Sequence, residues 1–292
     1  MLKFSSIKYF CYVFLFIISN CTNENTSNEL VPEGMVFIPS GISDIGSETG
    51  LPNEQPVFQV HVKPFYMDKN LVTVKEFRLF VEATEYVTEA ENIGNGVVFD
   101  FKRAEWTLVD DATWEYPNGL NSEPADDNHP VRQISWNDAK EYLKWRGKRL
   151  PTEIEWEHAA KNGENSNNIY AWGDSLIISD QYQANTWNGT FPKENIPDDG
   201  YLQTSPVGEF NITQLGLTDM GGNVWEWTED WYRPYSDRDK QYKTTTMSEK
   251  VLRGGSFMCH ISYCHGYRVS ARSHTTPDNA LFHVGFRGVK DL

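Results

Sequence analysis

Gly216-Leu217-Thr218-Asp219-Met220-Gly221-Gly222-Asn223-Val224-Trp225-Glu226-Trp227 sets three glycines, an aspartate and an asparagine ahead of two tryptophans one residue apart. Glycine supplies backbone angles closed to other residues, and Asp and Asn bond their own backbone, so the run reads as turns and not as helix. Its tryptophans, with Trp231 and Tyr232 beyond them, are read first as core packing. The same texture extends outward: past Lys161 few windows have helical spacing, and turn residues recur every few positions to the C-terminus. The other half differs. Met35-Val36-Phe37-Ile38-Pro39 reads as a strand closed by proline, and Val57 to Val62 alternates, with Phe65-Tyr66-Met67 as further strand material. Three helices announce their starts: Thr73 with Glu76 three residues on, then Phe77, Phe80 and Val81; Ser135 with Asp138, then Ala139, Tyr142 and Leu143, ending at Gly147; and Thr152 with Glu155, then Trp156, Ala159 and Ala160. The expectation is a single irregular, loop-rich α+β domain with little regular secondary structure. No internal repeat is found.

The N-terminus reads as an export signal over residues 1–20. Lys3 and Lys8 give a basic start, and the apolar run from Tyr9 to Ile18 is too short to span a bilayer comfortably. Ile17-Ile18-Ser19-Asn20-Cys21 resembles a bacterial lipobox, which makes Cys21 the lipidated first residue of the mature chain. The alternative is an ordinary signal peptide with an incidental cysteine. Residues 21–33 then form a tether, since Thr22 to Leu30 is nearly devoid of apolar side chains, and residues 34–292 form the folded domain. Such a protein is anchored to a membrane and does not span it. It is expected to face the periplasm as a monomer. A net charge of −15 argues against a nucleic-acid partner.

The chain has four cysteines, and two of them, Cys11 and Cys21, belong to the export segment. Cys259 and Cys264 are therefore the folded domain's only thiols. From the residues alone they fit a soft-metal site, a redox couple or a disulfide. Zinc would require further ligands, for which His260 and His265 are at hand, although strand alternation would turn Cys259 and His260 to opposite faces.

Several segments jointly resemble the sulfatase-modifying factor family. They are His129-Pro130-Val131, Ser135 to Ala139, Gly147 to Glu157, Trp172-Gly173, Gly216 to Trp227, Arg253-Gly254-Gly255-Ser256 and Gly285-Phe286-Arg287. The similarity covers nearly all of the chain from Gly34 onward and implies that family's C-type-lectin-like fold. Met258-Cys259-His260-Ile261-Ser262-Tyr263-Cys264, followed by Tyr267-Arg268 and Ala271-Arg272-Ser273, is similar to the active-site strand of its formylglycine-generating members.

The resemblance implies an oxidase that converts the cysteine of a Cys-x-Pro-x-Arg sequence in an unfolded sulfatase to Cα-formylglycine, with dioxygen as oxidant. It implies Cu(I) on Cys259 and Cys264, a choice that soft thiolates favour independently. Ser256, Tyr263 and Trp225 would position the substrate thiol and oxygen. Arg268 and Arg272 would balance charge or hold substrate backbone, whereas Arg253 and Arg287 read as salt bridges closing the fold. Two structural calcium sites are implied, one at Asn185, Thr186, Asp199 and Tyr201, the other at Asp219, Gly222, Val224 and Glu226; oxygen-only ligation suits a hard cation. Ordinary turn chemistry by the same residues is the alternative. Leu143 and Val269 stand where vertebrate relatives carry disulfide cysteines. The sequons at Asn188 and Asn211 read as coincidence. The rivals in function are a non-catalytic binding or scaffold lipoprotein on this fold and a thiol–disulfide oxidoreductase. The second would be expected to carry a closer Cys-x-x-Cys at a helix N-terminus.

Overall fold

The computed structural model describes residues 31–210 and 212–292. The expected export segment, Cys21 with the first part of the expected tether, and Asn211 lie outside the described residues.

The chain enters through β1 (Met35–Ile38), β2 (Gly41–Ile45), β3 (Phe58–Val62) and β4 (Phe65–Asp68). Helix α1 (Val74–Thr84) starts on Thr73, whose hydroxyl accepts the Glu76 N–H while the Glu76 carboxylate accepts the Thr73 N–H. This reciprocal capping satisfies two of the backbone donors that a helix start leaves free. The short α2 (Glu89–Ile93) repeats the device with Thr88 and Glu91, and Gly94 ends it at φ +82°. A hairpin follows, β5 (Asn95–Asp100) with β6 (Glu105–Asp110). Helices α3 (Trp136–Trp145) and α4 (Glu153–Ala160) begin on Ser135 and Thr152 with the same capping, and each buries the face anticipated for it. Val74, Phe77 and Phe80 of α1 meet Ala139, Tyr142 and Leu143 of α3 in one apolar cluster.

Beyond α4 the two-residue ladders β7 (Ile177–Ile178) with β8 (Gln181–Tyr182) and β9 (Gly189–Thr190) with β10 (Glu194–Asn195) punctuate long turns. The central element is β11 (Trp225–Trp231). It pairs antiparallel with β12 (Lys250–Arg253) and parallel with β14 (Val284–Gly285), and β12 pairs with β13 (Arg272–Thr275). A second sheet orders β1, β4 and β15 (Val289–Asp291). No α-helix occurs after α4 among the described residues.

The two sheets and α4 are joined by buried ion pairs. Arg287 donates to both oxygens of Glu226 at 2.6 and 3.0 Å and to the Thr218 carbonyl at 2.9 Å. Arg253 donates to Glu153 at 3.0 Å and to Glu157 at 2.6 Å. Both arginines close the fold, as their sequence positions suggested. Trp156 and Trp227, wholly buried, supply the apolar counterpart, each on the order of 3 kcal/mol of burial.

Candidate active site: a thiol pair at the mouth of a cleft

β11 and β12 set the site. Their register places Glu226 opposite Arg253, and directly after Arg253 the chain turns through Gly254 (φ +89°) and Gly255 (φ +71°). A Cβ on Gly255 would lie 2.6 Å from the backbone of Gly266 and Tyr267, so only glycine lets the outgoing and returning segments touch. Ser256 then accepts the Cys259 N–H on its carbonyl at 2.8 Å, and its hydroxyl accepts the Met258 N–H at 3.2 Å. The His260 carbonyl accepts the N–H groups of Tyr263 at 3.0 Å and His265 at 3.1 Å. Cys259 and Cys264 therefore occupy a tight turn. The strand expected here does not form, because these local bonds take the backbone groups that a ladder would need, and the alternation argument about His260 lapses with it.

Both cysteines are free thiols, and they hydrogen-bond each other. They are unequal. Cys259 is 2% exposed, and burial pushes its thiol well above the ordinary range. The hydrogen bond from Cys259 holds the Cys264 thiol below its usual value, outweighing the opposing effect of burial. The arrangement makes Cys264 the more readily ionised of the two, and the thiolate is the form that binds soft metals and attacks electrophiles.

Trp225 is buried in the same apolar cluster as Cys259 and Tyr267, with Cys264 packed at its edge. A Cβ on Gly266 would lie 2.6 Å from the Trp225 ring and 2.8 Å from Cys259 Sγ, which shows how closely backbone, indole and sulfur converge. Cys264 opens on a cleft of about 760 Å³, bounded by Tyr263, His265 and Arg268 and by the loops 46–51 and 166–169. Tyr263 is 72% exposed and stacks on Phe191 at 4.5 Å, so it stands at the rim, whereas Ser256, Trp225 and Cys259 are buried and do not line the cleft.

The arginines separate. Arg268 lines the cleft and grips the buried Glu54 at 2.8 and 2.5 Å, tying the 46–56 loop to the cysteine turn. Arg272 is not brought to this cleft. Its guanidinium donates to both oxygens of Glu153 at 2.6 and 2.9 Å and to the Asn53 carbonyl at 2.8 Å, so the expected substrate contact gives way to a link between β13 and α4. His260 bonds Ser262 at 2.7 Å. His265 bonds Tyr170 at 2.9 Å, and burial lowers its pKa to about 4, leaving it neutral. Among the described residues no three His, Cys, Asp or Glu side chains gather as a metal cluster, so tetrahedral zinc finds no support from those residue types.

Of the two groups considered for calcium, the second is buried and the first is buried at Asn185 and Thr186 and half-buried at Asp199 and Tyr201, and both are partly unsatisfied. Asn185 Oδ1 and Asp219 Oδ1 have no hydrogen-bond partner, and burial raises both Asp199 and Asp219, the latter to about 6. Orphaned buried oxygens of this kind fit a hard cation. Asp199 also accepts the Thr186 and Tyr201 N–H groups at 2.8 and 3.0 Å, which gathers that first set. In the second set a Cβ on Gly222 would strike the Asn185 carbonyl, and Val224 is buried beside it in sequence. Glu226 does not fit, because Arg287 occupies both of its carboxylate oxygens.

Sequence reasoning did not find Tyr170, Phe191 or Glu54, and it marked Trp172 only through the family resemblance. Nothing local marks the other three, since their partners in the site lie far away along the chain.

Fold and site together define a loop-rich α+β domain with a reduced thiol pair at the mouth of an open cleft. The chain belongs to the family described as the sulfatase-modifying factor enzyme 1-like domain, whose model matches residues 22–292. It is 41% identical to the formylglycine-generating enzyme of Streptomyces coelicolor, over 88% of this chain and 89% of that one. It is also 38% identical to the inactive C-alpha-formylglycine-generating enzyme 2 of Bos taurus, over 87% and 86%. Among solved structures, PvdO from Pseudomonas aeruginosa shares the fold at a TM-score of 0.67 and 22% identity, covering 88% of this chain and 94% of that one.

Proposed function

We propose that this protein is a copper-dependent formylglycine-generating oxidase that matures sulfatases. The observation that carries the reading is the reduced, mutually bonded pair in which Cys259 is sealed and Cys264 meets an open cleft. Relatives named as formylglycine-generating enzymes support it. An inactive relative at similar identity means that membership alone does not decide activity, so the thiols must.

In this reading Cys259 and Cys264 hold Cu(I), whose bound form supplies a thiophilic seat for the substrate cysteine and a place to reduce dioxygen. The protein's own part is geometric. The cleft admits an extended Cys-x-Pro-x-Arg segment, Trp225 packs in the same cluster as Cys259, the Ser256 carbonyl accepts the Cys259 N–H, and Tyr263 offers an exposed ring at the rim. The substrate side chain loses two electrons and two protons to become a thioaldehyde, which water hydrolyses to aldehyde and hydrogen sulfide. Dioxygen takes those electrons, with two more from an added thiol reductant, and leaves as water. Calcium at Asn185, Thr186, Asp199 and Tyr201, and at Asp219, Gly222 and Val224, serves as a structural cation. Lipidation at Cys21 places the enzyme on the periplasmic side of a membrane, and it acts as a monomer.

The test is direct. The reduced protein is incubated with Cu(I), oxygen, a thiol reductant and a Cys-x-Pro-x-Arg peptide, and the peptide is weighed. The mass change of a thiol-to-aldehyde conversion is expected with the wild type and is expected to vanish with Cys259→Ser or Cys264→Ser. No conversion at any copper loading replaces this reading with a non-catalytic binding module.

A further inference from the structure

Directly after Cys264 the backbone does something costly. His265 adopts φ +41°, in the left-handed region that a residue with a Cβ rarely enters. Such a conformation persists only where its surroundings over-determine it. Here they do. The His265 N–H donates to the His260 carbonyl at 3.1 Å, and its carbonyl accepts the Arg268 Nε at 3.2 Å. The ring is bonded through Nε2 to the Tyr170 hydroxyl at 2.9 Å. Tyr170 is itself 4% exposed and held between Trp172, stacked at 5.0 Å, and Tyr267, stacked at 5.6 Å. Tyr267 also meets the imidazole edge to face at 4.9 Å. The reversal at His265 is what returns Gly266 across Trp225 and Cys259 and brings Cys264 back to its partner sulfur.

We infer that His265, locked by Tyr170, is a positioning residue that sets the placement of Cys264 relative to Cys259. It does not touch the reacting thiol. Its consequence for copper rests on the function proposed above, but the placement of the sulfurs can be read without any metal. Tyr170 does not stand out in the sequence, and His265 does so only as a spare zinc ligand, because the bond between them spans a long loop.

Tyr170→Phe isolates the effect: both stacked neighbours keep their ring, and only the hydroxyl is lost. In metal-free protein, closure of the Cys259–Cys264 disulfide by diamide, which is reduced to the hydrazine as the two thiols are oxidised, is expected to slow in Tyr170→Phe and in His265→Ala. Cu(I) affinity, measured by competition with a chromophoric chelator, is expected to fall about tenfold in each, as for other groups that orient a metal ligand. The double variant is expected to lose no more than His265→Ala alone, since the contact that Tyr170→Phe removes is already absent there. His265→Asn, which tolerates the left-handed conformation, is expected to recover part of the loss. The unfolding midpoint serves as the control for folding. A Tyr170→Phe protein that closes its disulfide at the wild-type rate overturns the inference, as do losses that simply add. If the wild type closes normally, slows with Tyr170→Phe, and yet binds no Cu(I), then the proposed function fails and the positioning role stands.

Discussion

Two cysteines five positions apart carry different chemistry because one is sealed and the other is not. Burial pushes the Cys259 thiol up, and the bond it donates holds the Cys264 thiol below its usual value. Iodoacetamide is therefore expected to label Cys264 well before Cys259 in the folded, reduced protein, with tryptic mapping as the readout. Equal labelling would mean that the pair is not arranged as described. Residue identity alone made the pair visible but left a disulfide open, because sulfur–sulfur bonding and sulfur–metal bonding ask for the same two side chains. The arginines show the same limit. Arg253 and Arg287 were correctly read as closing the fold, yet Arg268 and Arg272, four residues apart, were indistinguishable until one was found on the cleft and the other against Glu153.

At the level of elements, the legible features were those whose cause is local. Thr73, Ser135 and Thr152 each cap a helix with a partner three residues on, and all three helices start where the sequence says. Thr152→Ala is expected to lower stability by about 1 kcal/mol, measured by urea unfolding, because it removes the hydroxyl that accepts the Glu155 N–H. A wild-type midpoint would show that α4 is held by its ion pairs and packing alone. The features missed have non-local causes. Thr88 and Glu91 form the same cap, but five residues of α2 are too few to show an apolar face. Strand β2, Gly-Ile-Ser-Asp-Ile, has two residues that strands usually avoid; it forms because β3 lies beside it along five register pairs. The cysteine turn looked like a strand for the opposite reason, since its turn bonds run to the carbonyls of Ser256 and His260 and leave no mark on composition.

Two properties belong to the molecule as a whole. Orphaned oxygens at Asn185 and Asp219 leave the loop-rich half under-satisfied without a cation. Adding calcium to chelator-treated protein is expected to raise its unfolding temperature, with about 2.7 kcal/mol of stabilisation at a hundredfold excess over Kd, and Asn185→Ala is expected to lose most of the gain. An unchanged midpoint would leave only turn chemistry at these residues. The second property is acidity. Asp230 sits at the start of α4, where its carboxylate accepts the Glu153 N–H at 2.6 Å, yet burial outweighs that bond and raises its pKa to about 6. The folded state thus holds this proton more tightly than the unfolded chain does. Its stabilising contribution is complete below about pH 4 and is lost as the pH rises through about 6. Asp230→Asn is expected to gain stability relative to wild type between those limits, read from urea midpoints at both ends; parallel profiles would place the carboxylate in water.

The sequence by itself determined the class of fold, the starts of three helices, the burial of Trp225 and Trp227 and the one thiol pair available for chemistry. Each of these follows from composition, short-range spacing or local hydrogen bonding. Only the tertiary structure decided which cysteine is sealed, which arginine faces the cleft, that Arg287 bonds both Glu226 oxygens, and that Tyr170 bonds His265 beside Cys264. Those outcomes depend on burial and on partners brought together across long loops. Neither is encoded at any one position in the chain, because solvent exclusion and ion pairing are properties of the packed whole.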